Sequence, residues 1–345
     1  TNKNIIINGA MKVAQRGTSF TAVTNGQYTL DRFNYRQNVG EVTVTQDSSA
    51  PDGFSNSLKV DVTTADDSLT SGQFNMLEYN IEAQDLQRLA FGTSSAKNFT
   101  LSFYVKSNKT GTYAVNITQQ DNSAKQATLN YTINSANTWE RKSLTFTGDT
   151  SGVINDDNGT GFLLYWWLAV GSTYTSGGST SASFQTFANA NHAAGHAVNL
   201  LDSTDNEWFI TGVQLEIGQN ETVFEHEPFA RTLEKCRRYY FVLADGRADE
   251  NQKIGNQYGF SSSQAEGVVR WGEMRATPSL VHPTGSNYYV ISSSSDTTTF
   301  DSMLTYKFTQ RSGLLYKTGL SITHGRGYRF FINNASAYVH LDAEL

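Results

Sequence analysis

Several residue types are scarce in this 345-residue sequence, and each shortage excludes a class of protein. Cys236 is the one cysteine, so an intramolecular disulfide is excluded, and we expect packing and subunit assembly to stabilise the fold. Charged residues make up only 17% of the chain, the net charge is −6, and no stretch is strongly basic. Binding to phosphate backbones needs clustered Lys and Arg, so we expect no nucleic-acid partner.

Long apolar runs are also scarce. The longest, FLLYWWLAV at 162–170, is far too short to span a bilayer, so we expect no membrane insertion. The first residues contain no cationic region followed by an apolar segment and a cleavage site. We therefore expect a chain without an export signal that is made and assembled in a reducing cytoplasm.

The residues that are abundant indicate β-structure. The 17 Tyr and 20 Phe occur with many Thr, Ser, Asn and Gly residues, a composition typical of short strands and polar turns. Alternating apolar residues predict strands within NFTLSFYVKS (98–107), TYAVNITQQ (112–120), WERKSLTFTG (139–148) and EWFITGVQLEIG (207–218). Turn signals such as SSAPDG and NDDNGTG separate the strands, and no βα unit intervenes. We therefore predict an all-β chain that begins with a jelly-roll β-sandwich.

Two neighbouring stretches depart from this alternation. FLLYWWLAV is apolar throughout, which predicts a central strand covered on both faces. A polar region rich in Ser, Thr, Ala, Gly and Asn follows, from Gly171 to Asn206. Loops of that length on a β-scaffold are usually functional or poorly ordered.

The segment FEHEPFARTLEKCRRYY (224–240) interrupts the strands and predicts a helix. Pro228 suits the first helical position. One apolar stripe with helical spacing follows it, formed by Phe229, Leu233, Cys236 and Tyr240. The position of Cys236 on this stripe favours a buried, inert thiol over a nucleophile.

The helix divides the chain into three predicted parts. These are a jelly roll at 1–227, a connector helix at 228–240 and a second, smaller β-sandwich-like domain at 241–345. Six strands are predicted after the helix, within RYYFVLA, GVVRWGEM, NYYVISSS, MLTYKFTQ, GYRFFINN and AYVHLDAEL.

Seven short sequence motifs, here called phrases, occur once each along the chain. They are INGAMKVAQRG (7–17), YTLDRF (28–33), TGVQLEIG (211–218), FEHEPF (224–229), CRRYY (236–240), MRATPS (274–279) and LDAEL (341–345). Together they resemble a group of tailed-bacteriophage virion proteins, usually described as tail-fibre, tail-spike or appendage proteins with a carbohydrate-binding-module-like jelly roll. The resemblance spans nearly the whole chain.

This resemblance implies a non-enzymatic virion structural protein on the outer surface or tail of the particle, assembled in the cytoplasm of a bacterial host. Its partners would be other virion proteins, further copies of itself with a trimer favoured, and host cell-surface polysaccharide. A competing hypothesis is a purely architectural role, as a decoration or cement protein of capsid or tail. A third is a polysaccharide depolymerase, because 32 acidic residues offer many carboxylate pairs.

The first 220 residues also resemble the wider set of jelly-roll carbohydrate-binding modules. In these, a first strand with a hydrophobic-Asn-Gly phrase lies beside a last strand ending in hydrophobic-x-Leu-Glu, here Ile7-Asn8-Gly9 and 213–216. Many such modules hold a structural calcium through paired Asp residues ahead of the last phrase. Thr211-Gly212 stands there instead, so we carry over no calcium site, and we assign no metal or cofactor.

Two acidic clusters contain residue types that bind metals. Glu225-His226-Glu227 precedes the helix, but neighbours on an extended segment point to opposite sides. We therefore predict a salt-bridge cluster with Arg231 and Lys235 at the helix entry. Asp156-Asp157-Asn158-Gly159 lacks the alternate-residue pattern of a calcium loop and predicts a turn.

His192 and His196 have the i, i+4 spacing of a metal-binding pair on a helix. Gly195 weakens a helix there, and no HExxH glutamate is present. We therefore predict solvated loop histidines. No catalytic residue is assigned anywhere in the chain.

Exposed aromatic rings are candidate sugar-binding groups, because sugars stack on their faces while polar neighbours bind the hydroxyls. The candidates are Trp166, Trp167, Tyr174, Trp208 and Trp271. Strand alternation sends one of Trp166 and Trp167 into the core, and Tyr174 lies in the polar loop. We predict that Tyr174, Trp208 and Trp271 stack on glycan.

Overall fold

The computed structural model describes residues 3–121 and 124–345. The chain divides into two compact units, one formed by Thr1–Thr232 with Leu345 and the other by Leu233–Glu344. Each unit has its own hydrophobic core. The division falls inside the segment predicted as a connector.

The first unit contains thirteen strands among its described residues. They are β1 (Ser19–Phe20), β2 (Gln27–Tyr28), β3 (Phe33–Gln37), β4 (Glu41–Asp47), β5 (Ser57–Thr64), β6 (Phe74–Glu82), β7 (Phe99–Ser107), β8 (Gly111–Gln119), β9 (Lys125–Ile133), β10 (Glu140–Phe146), β11 (Thr160–Val170), β12 (Ser181–Thr186) and β13 (Glu207–Ile217). Three short 3-10 helices lie between them, at Ala83–Leu89, Asn189–Asn191 and Leu200–Asp202.

These strands form a jelly-roll β-sandwich, as predicted. One sheet has the order β1-β4-β5-β13-β7-β10 and the other the order β12-β9-β8-β11-β6-β3-β2. The alternating residues of β7 fill the space between the sheets, where Phe99, Leu101, Phe103 and Val105 are completely buried. Strand periodicity in the sequence therefore identified the core correctly.

The opening segment lies beside the last strand of the sandwich, as the module resemblance implies. Ile5 N donates to Leu215 O at 2.9 Å, and Val213 N donates to Gly9 O at 2.9 Å. A Cβ on Gly9 would lie 2.0 Å from Val213 O, so only glycine permits this approach. The side chain of Asn8 then fixes the turn by accepting from Val13 N at 2.9 Å.

Strand β11 is central, as its continuous apolar sequence predicts. It pairs with β6 on one side and β8 on the other. Trp166 faces the core of the sandwich, whereas Trp167 faces the other way, and both are buried. The prediction of a strand covered on both faces is confirmed.

The connector helix, α1, runs Phe229–Arg237. Pro228 precedes it and accepts from Arg231 N at 3.0 Å, which suits a residue without an N–H at the helix start. Cys236 is buried, as predicted. Tyr240 does not extend the helix, because it begins a strand instead. No helix within the described ranges is long and apolar enough to cross a bilayer.

The second unit contains ten strands. They are β14 (Tyr240–Asp245), β15 (Lys253–Gly259), β16 (Gln264–Arg270), β17 (Ser279–Val281), β18 (Tyr289–Ser292), β19 (Thr297–Phe300), β20 (Leu304–Tyr306), β21 (Ser312–Thr318), β22 (Gly327–Ile332) and β23 (Tyr338–Asp342). Their sheets have the orders β14-β23-β17 and β19-β18-β22-β15-β16-β21-β20. All six predicted strands exist, but β15, β17, β19 and β21 were missed, because they are short or rich in polar residues and Gly.

Three phrases of the virion-protein resemblance meet around Arg275 in the second unit. Arg275 N donates to Arg238 O at 2.7 Å, and its Nε donates to Ala343 O at 2.7 Å. Ala343 N in turn donates to Tyr239 O at 2.8 Å. CRRYY, MRATPS and LDAEL therefore build one hydrogen-bonded framework, and their role here is structural.

Candidate functional site

Two of the three aromatic residues predicted to stack on glycan are buried. Trp208 is 0% exposed in the core of the first unit, where its Nε1 donates to Tyr131 Oη at 3.2 Å. Trp271 lies in the core of the second unit, packs on Phe308 and donates to Gln310 O at 3.0 Å. A buried ring has no face for a sugar, so the prediction is wrong for both. Trp208 lies in β13, and Trp271 directly follows the end of β16, and in both places the ring packs into a core.

Tyr174, the third predicted residue, is half-buried. Its ring centroid lies 5.3 Å from that of Trp167 and 6.0 Å from that of Phe74. It therefore helps to cover the outer face of β11. Its role in glycan stacking stays a prediction.

The same outer face is covered by residues 187–198, here called the covering segment. The polar side chains of β9 that point outward donate to its carbonyl oxygens, Gln126 to Ala188 at 2.8 Å, Thr128 to Asn191 at 2.8 Å and Asn130 to Ala194 at 3.0 Å. Part of the long polar loop is thus a structural cover for the sheet.

His192 and His196 belong to the covering segment and are not solvated, so that prediction is wrong. The ring of His192 lies among aromatic rings, 4.9 Å from Tyr165 and 5.0 Å from Trp167 between centroids. His196 Nδ1 accepts from Ala114 N at 3.1 Å. Its Nε2 donates to Val198 O at 2.6 Å. Burial lowers the pKa of both histidines to about 4, so both are neutral at pH 7.

The acidic clusters also have structural roles. Glu227 pairs with Arg231 at 3.1 Å, as predicted for the helix entry, whereas Glu225 accepts from the backbone N–H groups of Lys3 and Asn4. The carboxylate of Asp157 accepts from Gly159 N at 2.8 Å in the predicted turn. Within residues 3–121 and 124–345, no group of three or more His, Cys, Asp or Glu residues is placed to hold a metal ion.

An uncovered surface with several aromatic and apolar side chains lies on the seven-stranded sheet of the second unit. Directly opposed residues of antiparallel strands share a face, and the ladders align one row across β22, β15, β16, β21 and β20. This row is Gly327, Tyr258, Glu266, Tyr316 and Leu304. A second row beside it contains Val268, Leu314 and Tyr306. We call these eight residues the open face.

Four of the apolar residues of the open face are about half exposed. The exposed fractions are 47% for Tyr258, 59% for Val268, 48% for Leu304 and 56% for Tyr306. Strands are spaced by about 4.8 Å, so a row across five strands is about 19 Å long. Apolar groups at this density, flanked by polar ones, are typical of a binding surface.

Tyr258 is held in place by a carboxylate. Its Oη donates to Glu266 Oε1 at 2.6 Å, and Gln264 Nε2 donates to Glu266 Oε2 at 2.9 Å. The hydrogen bond to Glu266 raises the pKa of Tyr258, so the phenol stays protonated. On the other side, a Cβ on Gly327 would have no atom within 4 Å, so open space borders the tyrosine ring.

At the far end of the open face, Tyr306 carries a cation beside its ring. The Lys307 ammonium lies 5.2 Å from the ring centroid. Such an arrangement stabilises the cation and orients the ring. The surface thus combines aromatic faces with a carboxylate, an amide and an ammonium group that can bind hydroxyls.

A polar cleft of about 520 Å³ adjoins this row. Its lining includes Asn256, Ser292, Arg326, Gly327 and Arg329. Asn256 and Arg329 are directly opposed, two residues along their strands from Tyr258 and Gly327, and therefore lie on the same face. The open face and the cleft therefore meet at Gly327.

This site was missed in the sequence analysis because β15 and β21 were not predicted, and because no exposed apolar face was predicted for β16, β20 and β22. A signal was present in two adjacent apolar pairs, Val268-Val269 and Leu314-Leu315. In each pair the second residue is buried and the first points to the open face. A strand that places apolar residues on both faces must have a second contact or an exposed apolar surface.

No family model matches the chain. No curated protein matches its sequence.

Solved structures match the fold. One is the enzymatically active domain of tailspike protein 4 from bacteriophage CBA120, with 16% identity and a TM-score of 0.32 over 57% of this chain and 21% of that one. Another is a putative sugar binding protein from Bacteroides thetaiotaomicron, with 14% identity and a TM-score of 0.36 over 63% and 100%. A family 11 carbohydrate-binding module from Clostridium thermocellum has 12% identity and a TM-score of 0.31 over 59% and 98%.

Proposed function

We propose that this protein is a non-enzymatic bacteriophage virion protein of the tail-fibre or appendage type that attaches to host-surface glycan through its open face. It works as a multimer, with a trimer favoured, on the outer surface or tail of the particle. Weak single sites gain strength when several copies bind one surface. The order of the seven sequence phrases supports the virion assignment.

The observation that carries the glycan assignment is the row from Gly327 to Leu304. It offers the exposed ring of Tyr258, a gap beside that ring and the carboxylate of Glu266 at hydrogen-bonding distance from the phenol. Sugar rings have apolar C–H faces and hydroxyl edges, so this combination matches both parts of a sugar. A row of this length takes an oligosaccharide rather than a single ring.

The first test is binding of the purified protein to an array of bacterial surface polysaccharides. Tyr258→Ala removes the stacking ring, and we expect it to weaken binding about five- to thirtyfold, equivalent to about 1–2 kcal/mol. Tyr258→Phe keeps the ring and loses only the hydrogen bond to Glu266, so a smaller loss is expected. Tyr174→Ala tests the sequence-predicted position in the same assay.

A steric variant provides an independent test. Gly327→Leu places a side chain in the gap beside Tyr258. The control, Gly272→Leu, adds the same side chain at another position of the second unit, where a Cβ also meets nothing within 4 Å. We expect the first variant to abolish glycan binding and the second to leave it unchanged. Equal binding by wild type, Tyr258→Ala and Gly327→Leu would contradict the proposal.

The proposals that the protein belongs to the virion and that it is not an enzyme have separate tests. Antibodies against the purified protein are expected to label the outside of intact particles in electron micrographs. Incubation of the protein with polysaccharides that it binds is expected to release no new reducing ends. Release of reducing ends would indicate the depolymerase hypothesis instead.

One observation favours the architectural hypothesis as a second candidate. Strand β20 is an edge strand, and all three of its residues are exposed. An exposed edge next to an apolar face is a common site of pairing between subunits. If the open face is such a contact, its substitution changes the oligomeric state rather than glycan binding.

A further inference from the structure

The cleft beside the open face has a different chemistry from the aromatic row. None of the residues that line it is acidic, and two of them are arginines. The protein as a whole has a net charge of −6, so this cationic site does not reflect a generally basic surface. The positive charge is therefore a local property of the cleft.

The two arginines differ in their partners. Arg326 pairs with Asp296 at 3.0 Å and also donates to Ser295 Oγ, so its charge is largely compensated. The side chain of Arg329 is exposed and forms no hydrogen bond or ion pair with any described residue. Its five N–H donors are therefore available to an anionic ligand, in the fork geometry that fits a carboxylate.

Further polar groups without partners surround Arg329. Asn256 lies directly opposite it, and the side-chain amide of Asn256 forms no hydrogen bond within the described ranges. The hydroxyl of Ser294, which also lines the cleft, is exposed. These groups can bind hydroxyls next to the anionic group that Arg329 binds.

From this arrangement we infer that the cleft binds the carboxylate of an acidic sugar unit while a neighbouring unit of the same glycan lies on Tyr258. Gly327 joins the cleft to Tyr258, because it lines the cleft and lies directly opposite Tyr258 without a side chain between them. The inference rests on the proposed glycan binding and names its ligand class, an anionic polysaccharide containing uronic acid.

The test uses two disaccharides as probes, titrated separately into the protein and followed by NMR. The acidic probe is glucuronate linked to glucose, and the neutral probe is its uncharged analogue cellobiose. Signals of the Tyr258 ring and the Arg329 Nε–H group report the two parts of the site. We expect the acidic probe to shift both signals and to bind about tenfold more tightly than the neutral probe, the advantage of about one hydrogen bond to a charged group. Raising the salt concentration is expected to reduce this preference.

Two matched variants separate the effect of the charge in the cleft from the effect of the protein's overall charge. Arg329→Gln is expected to abolish the preference for the acidic probe and to leave binding of the neutral probe unchanged. Arg270→Gln removes the same charge from an exposed position on β16 of the same sheet, outside the cleft, and is expected to keep the preference. Equal losses in the two variants would overturn the inference.

The remaining outcomes distinguish the inference from the proposed function. If both sugars shift Tyr258 with equal affinity, the acidic specificity is wrong and glycan binding stands. If neither sugar shifts Tyr258, the proposed glycan function fails as well. If inorganic phosphate shifts the Arg329 signal as strongly as the acidic probe does, without any effect at Tyr258, the cleft is a simple anion site and the inference is overturned.

Discussion

Each unit contains a seven-stranded antiparallel sheet, and the two sheets differ in what lies on their outer faces. In the first unit, the covering segment and Tyr174 lie over Trp167, and the outward polar residues donate to backbone carbonyls. In the second unit, Tyr258 and Val268 point outward and remain about half exposed. The same architecture therefore yields a buried face in one unit and an accessible one in the other.

The local sequence signal is similar in both sheets. Trp166-Trp167 in β11 and Val268-Val269 in β16 each place adjacent apolar residues on opposite faces of a strand. The difference is that a later stretch of chain returns over β11, whereas no described residue covers Val268 to the same extent. Adjacent apolar pairs in a strand thus indicate a second surface, and tertiary structure decides whether that surface is core or binding site.

The largest expected difference between the two faces is in stability. Trp167→Ala removes a buried ring from the covered face and is expected to lower the free energy of unfolding by about 3–5 kcal/mol. Tyr258→Ala on the open face is expected to change it by less than about 0.5 kcal/mol. Urea unfolding measures both, and similar losses would show that the open face is also packed.

The second difference concerns pH. The pKa of His192 and of His196 is about 4 in the folded protein, below the ordinary value of 6.5. Between pH 6.5 and 4 the unfolded chain therefore binds protons that the folded chain does not, and stability falls as the pH is lowered. Each pKa unit of separation corresponds to about 1.4 kcal/mol per histidine.

Urea unfolding across this pH range, followed by tryptophan fluorescence, measures the slope. Four of the five tryptophans lie in the first unit, so the signal reports that unit. His192→Gln is expected to reduce the slope, whereas His324→Gln, at an exposed position of the second unit, is expected to leave it unchanged. An unchanged slope in both variants would mean that the covered face does not hold its histidines neutral.

The smallest expected effect is on assembly. Val268→Lys places a charge on the open face, and because Val268 is 59% exposed we expect little loss of stability. If the open face binds glycan, sedimentation velocity should show the same oligomer as the wild type. Dissociation of the oligomer would favour the architectural hypothesis, in which the open face joins two copies.

Several features could be predicted from the sequence because they depend on local patterns. Alternation in 98–107 located β7 and its core-facing residues, and the apolar run at 162–170 located the central strand. The stripe around Cys236 located the connector helix to within a few residues. The phrase around Asn8 indicated where the opening segment meets the last strand.

The candidate site could not be predicted in the same way. Trp208 looked suitable because tryptophan stacks well on sugars, but its place in β13 buries it. His192 looked solvated because its neighbours are small and polar, but the segment returns to the sheet and excludes water from the ring. Both errors came from treating residue type as a guide to exposure.

The sequence by itself determined the strongly periodic strands, the helix and the core-facing residues of those strands, because hydrophobic periodicity is a property of neighbouring residues. Only the tertiary structure decided which sheet face is covered and which is open. That outcome depends on which distant segments pack on each sheet. Residues 187–198 pack over β11 in the first unit. In the second unit, the row from Gly327 to Leu304 forms only when pairing brings five strands together.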